Sequence, residues 1–318
     1  MNEQGIIFMG TPDFAVATLN ALIEDGLDVR AVVTAPDRPA GRGRQLRSSA
    51  VKERALELGL PVLQPERLKD PGFLKELSTI DAQLYVVVAF RMLPEVVWNK
   101  PPLGTVNLHA SLLPQYRGAA PINWAVVNGE VRTGVTTFKI QHEIDTGDIL
   151  LQEEVPIGMN ETAGELHDRL MHIGAKLMVR TVKGLLSGTL VSVPQVLNGT
   201  GKLHAAPKLG PMSARIRFAS PLSEVHNLIR GMSPYPGAWC EWKEGEKAAL
   251  HCKVLRSQKV EGPCELAPGT VRRVKDLLHV ACADGWLAIL ELQLEGRKRM
   301  ATADVLRGIQ KLDQLVLK

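Results

Sequence analysis

Over the first half of the chain, short apolar runs alternate with stretches in which apolar residues recur at helical spacing, and this predicts strands and helices in turn. Residues 6–9 form an apolar run closed by Gly10, followed by TPDF and a helix-like stretch at 15–22, so the chain opens as strand, glycine turn, helix. Residues 29–35 and 82–90 read as further strands, with a serine-capped helix at 48–58 between them. The pattern continues with strands at 105–110, 133–140 and 148–157. Such a succession is the grammar of an α/β fold, an open, mostly parallel, Rossmann-like sheet with helices on both faces. In such folds ligands gather beyond the carboxyl ends of the strands.

The pattern then changes. Residues 162–186 predict one long helix, with Thr162 and Glu165 in capping-box spacing at its start. A stretch rich in Gly, Pro and Ser follows, which predicts a first domain over 1–187, a linker over 188–210 and a second domain over 211–318. In that last part, a helix at 221–232 precedes strands at 238–242, 248–255, 269–274, 279–283 and 287–294. Short strands with frequent turns suggest a small β-barrel.

Composition narrows the function classes. With 318 residues, two domains are the default. The longest apolar stretches, such as 84–90, are too short to span a bilayer, and the opening MNEQGIIFMG has no secretory pattern. A cytoplasmic location with no membrane partner is expected. The four cysteines, Cys240, Cys252, Cys264 and Cys282, lack paired C-x-x-C spacing, so buried free thiols are expected rather than zinc or disulfides. His167 and His172 are not spaced to share a helix face, and no metal is expected.

The formal charge of +4 hides an asymmetry. Residues 1–201 hold 19 Lys plus Arg against 22 Asp plus Glu, whereas residues 202–318 hold 19 against 12. A basic second part behind a slightly acidic first part suits a polyanion held by one and chemistry performed by the other, although a basic face also serves solubility.

The candidate chemistry lies in VNLHASLLPQYRGAAP, residues 106–121. Alternate side chains of a strand share a face, so Asn107 and His109 point together into the cleft that the strand end forms. An amide donor beside an imidazole is the equipment for stabilising a carbonyl oxygen as it gains charge. Taken alone, an N-x-H pair fits a pair of satisfied core polar residues equally well. Farther on, the turn at 143–147 delivers Asp145 toward the same sheet rim, although Asp-Thr-Gly is also an ordinary turn. The loop at 36–49 sets Arg38, Arg42, Arg44 and Arg47 among glycines and prolines, a composition that builds no core but can follow a phosphate backbone.

Together, FMGTPDFA, PDRPAGRGRQLRSSAVK, NLHASLLPQYRGAAPINWAVVNGE, IDTGDI and SPYPGAW resemble the methionyl-tRNA formyltransferase family, in that family's order across nearly the whole length. The resemblance implies Asn107, His109 and Asp145 as the catalytic group and Ser111, Leu112, Leu113 and Pro114 as a folate-contacting loop. It sets Phe90, Met92 and Leu93 at the pterin slot and makes the arginine loop a tRNA contact, with Arg42 foremost. It further implies 10-formyltetrahydrofolate as formyl donor, initiator methionyl-tRNA as acceptor in translation initiation, and an OB-like barrel that supports the tRNA. A monomer is expected. The turn His142, Glu143, Ile144 departs from the small residues common before the family's Asp, and 208–218 lacks its acidic pair. A formyltransferase with a sugar-nucleotide or glycinamide ribonucleotide acceptor remains a rival, as does an idle tRNA-binding protein. A dinucleotide-dependent oxidoreductase is disfavoured because GTPDFA lacks G-x-G-x-x-G spacing.

Overall fold

The computed structural model describes residues 4–40, 45–196, 202–260, 262–308 and 314–318. In chain order the elements are β1 (Ile6–Gly10), α1 (Asp13–Glu24), β2 (Val29–Val33), β3 (Arg38–Ala40), β4 (Gln45–Arg47), α2 (Ala50–Glu57), β5 (Val62–Leu63), α3 (Pro71–Thr79), β6 (Leu84–Val88), α4 (Glu95–Trp98), β7 (Thr105–His109) and β8 (Arg117–Gly118). There follow α5 (Pro121–Val127), β9 (Arg132–Lys139), β10 (Ile149–Pro156), α6 (Ala163–Leu186) and β11 (Ala205–Ala206). The chain ends with α7 (Leu222–Gly231), β12 (Ala238–Glu244), β13 (Leu250–Val260), β14 (Val271–Val274), β15 (Leu277–Ala281), β16 (Trp286–Leu294), β17 (Met300–Ala301), α8 (Thr302–Leu306) and β18 (Leu315–Leu317). Among the described residues no helix is long and apolar enough to cross a membrane.

These elements divide between two compact units. The first takes the chain to Gly118 together with Gly134–Val155 and His167–Ala205. Its seven-stranded sheet runs β10, β9, β7, β6, β1, β2, β5. The pairs β1 with β2, β1 with β6, β2 with β5 and β6 with β7 are parallel, and β7 with β9 is antiparallel. β1 and β6 are buried along their whole length, which explains their unbroken apolar runs: a parallel strand covered on both faces has no solvent side to make polar. The serine cap appears at Ser49, whose Oγ accepts the Lys52 N–H at 3.0 Å to start α2. The expected sheet class is thus present, and β6 and β7 end side by side at one edge.

The second unit gathers Ala119–Thr133, Pro156–Leu166 and Ala206–Lys318. The capping box that starts α6 lies here: Glu165 Oε2 accepts the Thr162 N–H at 2.9 Å, and Thr162 Oγ1 accepts the Glu165 N–H at 3.2 Å. Its antiparallel sheet runs β14, β15, β16, β13, β12, β18, with β17 alongside β16. Closure comes from a bridge between Thr270 and Val316, which joins the two ends of that order into a near-closed barrel. Gly269 permits the join, because it sits at φ +84° and a Cβ there would meet the Leu317 carbonyl at 2.1 Å. Cys240, Trp242, Cys252, Val254, Leu278, Val280, Ile289 and Leu292 fill the interior. Cys264 departs from the expectation of buried thiols and is only half-buried, while the other three are buried. Of the aromatic residues near β12, Trp242 is core, Trp239 stacks on His251 with ring centroids 5.1 Å apart, and Tyr235 is 80% exposed.

Helix α7 carries a buried histidine. His226 Nδ1 accepts from the Ser257 hydroxyl at 3.0 Å, and Nε2 faces the Met159 carbonyl at 3.4 Å. Burial, with the charges of Arg230 and Lys259, pushes its pKa down to about 4 against the Met159 hydrogen bond. A depressed histidine pKa means that the unfolded chain binds the extra proton first, so stability is retained above about pH 6.5 and lost as pH falls toward 4. We predict that the thermal midpoint of the full chain drops between pH 6.5 and 4. His226→Asn should be less stable at pH 7 but show a shallower pH dependence across that window. Parallel pH curves for the two proteins would contradict the assignment.

Candidate active site

Strand β7 pairs Asn107 with Phe138 and His109 with Thr136 on β9, so the pleat turns the Asn107 and His109 side chains to one face. His109 is 6% exposed. Its Nε2 lies 2.8 Å from the Tyr116 carbonyl oxygen. A carbonyl only accepts, so Nε2 carries the hydrogen and donates it. The opposite ring atom, Nδ1, stands 3.8 Å from Asp145 Oδ2. That separation exceeds hydrogen-bond length, so both atoms keep capacity for a group lodged between them.

Asp145 is held from two sides. Its Oδ2 accepts the Gly118 N–H at 2.9 Å, and its backbone adopts φ +55°. Tyr116 is at φ +59° and Ala89, immediately after β6, at φ +46°. Lys275 in the second unit is the other non-glycine residue of this kind among the described residues. Conformations that cost roughly 1–3 kcal/mol each are thus concentrated where the three candidate side chains lie.

Between β7 and Tyr116 runs the loop predicted to contact folate. Ser111 is buried, and its Oγ donates to the Gln115 carbonyl at 2.6 Å. Leu113 is buried, whereas Leu112 and Pro114 are half-buried. Thr136 fastens the loop to β9: its hydroxyl donates to the Ser111 carbonyl at 2.6 Å and accepts the Leu113 N–H at 3.1 Å and Gln152 Nε2 at 2.9 Å. One donor and two acceptor sites saturate a hydroxyl. Beyond the loop, the Tyr116 N–H donates to the His204 carbonyl at 2.7 Å, which fixes the residue whose own carbonyl orients His109.

The neighbouring edge of β6 carries the other predicted folate residues. Leu93 is buried in the core, Phe90 packs against that core beneath Arg91, and Met92 is 73% exposed. In the arginine loop, β3 and β4 form a hairpin that pairs Arg38 with Arg47, both exposed. Arg42 and Arg44 lie outside the described residues. The hairpin's base is anchored by Asp37, which meets Lys52 Nζ at 2.5 Å and Gln64 Nε2 at 2.9 Å; these partners hold its carboxyl below the usual carboxylate range. The arrangement offers a donor amide and an imidazole on one face of β7 and a carboxylate 3.8 Å from that imidazole, equipment for addition to a carbonyl and movement of a proton.

Gln195 is a residue that sequence reasoning missed. It lies within the stretch that composition marks as a linker, yet its side chain bonds to the turn carrying Asp145 and to Arg117. No local pattern signals it, because its partners are 48 to 78 positions away.

The family model for formyl transferase matches residues 4–182, and that for the formyl transferase C-terminal domain matches residues 208–310. A methionyl-tRNA formyltransferase of Bacteroides fragilis is 49% identical over 315 residues, covering 98% of this chain and 97% of the relative. One from Flavobacterium johnsoniae is 47% identical over 314 residues, with 99% of each covered. Among solved structures, WlaRD, a sugar 3N-formyl transferase, superposes with a TM-score of 0.66 at 17% identity, covering 94% of this chain and 100% of the other. HypX from Aquifex aeolicus, in complex with tetrahydrofolic acid, gives 0.64 at 17% identity over 96% of this chain and 47% of HypX. At such identities the likeness is one of fold.

Thr136→Val should be destabilising by roughly 1–3 kcal/mol, since it leaves the buried Leu113 N–H without its acceptor. The same change should speed amide exchange at Leu113 relative to the strands of the sheet. Unchanged exchange and an unchanged denaturation midpoint would remove Thr136 as the fastening of the loop.

Proposed function

The chain belongs to the methionyl-tRNA formyltransferase family, and from that membership we propose that Asn107, His109 and Asp145 carry formyl from 10-formyltetrahydrofolate to the α-amino group of methionine on initiator tRNA. The coarser activity follows from membership itself: this is an enzyme that transfers a formyl group from a folate-derived donor to methionyl-tRNA. The observation that carries the finer reading is the pair His109 and Asp145, facing each other across 3.8 Å and both oriented by the segment from Tyr116 to Gly118.

The donor's formyl group is an amide, sluggish toward nucleophiles. The acceptor needs little activation, because an α-amino group with a reference pKa of about 7.7–8.0 is substantially neutral near pH 7. Its lone pair forms the new C–N bond to the formyl carbon, and the carbonyl oxygen becomes an oxyanion. A hydrogen bond from the Asn107 amide stabilises that charge, and the His109 ring adds one once its Nδ1 has taken up a proton. With Nε2 committed to the Tyr116 carbonyl, His109 meets the substrate through Nδ1. The amine must lose a proton and the folate nitrogen must gain one as its C–N bond breaks. Asp145, beside Nδ1, accepts the first and passes it on through His109 or water. Ser111, Leu112, Leu113 and Pro114 would contact the folate from one side and Phe90, Met92 and Leu93 from the other, consistent with the adjacent ends of β6 and β7.

For the acceptor, Arg38 and Arg47 present two exposed guanidinium groups across a hairpin anchored at its base, chemistry suited to tRNA phosphates. Arg42 and Arg44 extend the same loop in the sequence. A reaction on charged tRNA belongs in the cytoplasm.

Asp145→Asn should bind the folate donor normally and transfer formyl about 100-fold or more slowly in single turnover. Asn107→Ala should lose about 10²- to 10³-fold in kcat. Near-normal turnover of either protein would take that residue out of the catalytic group. The double variant Arg38→Ala, Arg47→Ala should weaken the apparent affinity for methionyl-tRNA and flatten its salt dependence, with the folate KM unchanged. Identical salt slopes for variant and wild type would detach these arginines from the tRNA.

A further inference from the structure

We propose that Gln195 is a positioning residue for formyl transfer, acting through Asp145; the inference rests on the reading of Asp145 as a catalytic group. After α6 the chain returns along β10, where Val193 and Ile149 exchange backbone hydrogen bonds of 2.8 Å in each direction. This register sets Gln195 over the turn between β9 and β10. Its Nε2 donates to the Asp145 carbonyl at 2.9 Å and to the Gly147 carbonyl at 2.8 Å. Its Oε1 accepts from Arg117 Nη2 at 2.6 Å and Nε at 3.2 Å. Carbonyls only accept and a guanidinium only donates, so the network admits one orientation of the amide.

These bonds bear on the catalytic pair from both directions. Asp145 holds φ +55°, a conformation that an L-residue keeps only when its surroundings enforce it, and two carbonyls of its turn are tied to one side-chain amide. Gly147 gives the turn no slack, because a Cβ there would fall 1.6 Å from the Lys139 carbonyl. On the other side, Arg117 sits between Tyr116, whose carbonyl orients His109, and Gly118, whose N–H holds the Asp145 carboxylate. Gln195 therefore couples the backbone beneath Asp145 to the segment that aims both side chains. It touches neither reacting atom in this scheme; its effect is on where the Asp145 carboxylate stands relative to His109 Nδ1.

Mispositioning of a reacting group by about 1 Å can cost about 10²-fold in rate. The full-length protein carrying Gln195→Ala should therefore lose about 10- to 100-fold in kcat, with KM for the folate donor within about twofold of wild type. Gln195→Glu keeps an acceptor for Arg117 but sets carboxylate oxygens against two carbonyls, so it should lose at least as much. Gln195→Met, which keeps the length and removes the polar atoms, guards against a folding defect specific to the alanine. The deciding measurement is single-turnover formyl transfer in a double-mutant cycle with Asp145→Asn. If Gln195 acts through Asp145, adding Gln195→Ala or Gln195→Met to Asp145→Asn slows transfer by less than about twofold. Full additivity would overturn the proposal, and so would Gln195→Met and Gln195→Glu both turning over like wild type. Should Asp145→Asn alone retain wild-type turnover, the fault would lie in the reading of Asp145, an outcome the cycle separates from failure of Gln195.

Discussion

The Tyr116 carbonyl accepts the His109 Nε2 hydrogen while, two residues later, the Gly118 N–H donates to an oxygen of Asp145. This short stretch of main chain decides the direction of both side chains, and the rest of the first unit can be understood as what holds it still. The sheet supplies His109 from the end of β7; the β9 hydroxyl of Thr136 fastens the loop that precedes Tyr116; His204 grips the Tyr116 N–H. Backbone donors and acceptors suit the task. They have no rotamers to lose, so orientation fixed by main chain demands less ordering entropy than orientation by further side chains.

That constraint accounts for the placement of strain. Tyr116 and Asp145 occupy left-handed backbone conformations without being glycine, and Ala89 does so at the neighbouring strand end. A sheet whose central strands are wholly buried can support such local costs, since its stability comes from elsewhere in the unit. The second unit is built on a different plan, with a barrel closed by the bridge at Thr270 and Val316 and a net positive share of the charge.

Much of this could be read from the chain because it depends on local periodicity. Apolar runs over β1 and β6 marked buried parallel strands, Thr162 with Glu165 announced the start of α6, and the one-residue gap between Asn107 and His109 fixed their common face. What escaped depends on contacts distant in sequence. Nothing around Gln195 distinguishes it from linker composition, and Tyr116 and Gly118 act through main-chain atoms that every residue carries. Positive φ at Asp145 was equally hidden, since Asp-Thr-Gly suits several turns. The half-buried Cys264 shows the same limit, for thiol burial is decided by barrel packing rather than by spacing.

The central claim, that the Tyr116 main chain fixes the histidine so that Nδ1 confronts Asp145, is tested most directly by ¹⁵N NMR of protein labelled in its histidine rings. The His109 signal can be assigned by its loss in His109→Gln. The account predicts that neutral His109 carries its hydrogen on Nε2, with Nδ1 at the shift of an unprotonated nitrogen. A neutral ring protonated at Nδ1 would contradict it, because the Tyr116 carbonyl would then face a lone pair and could not orient the imidazole.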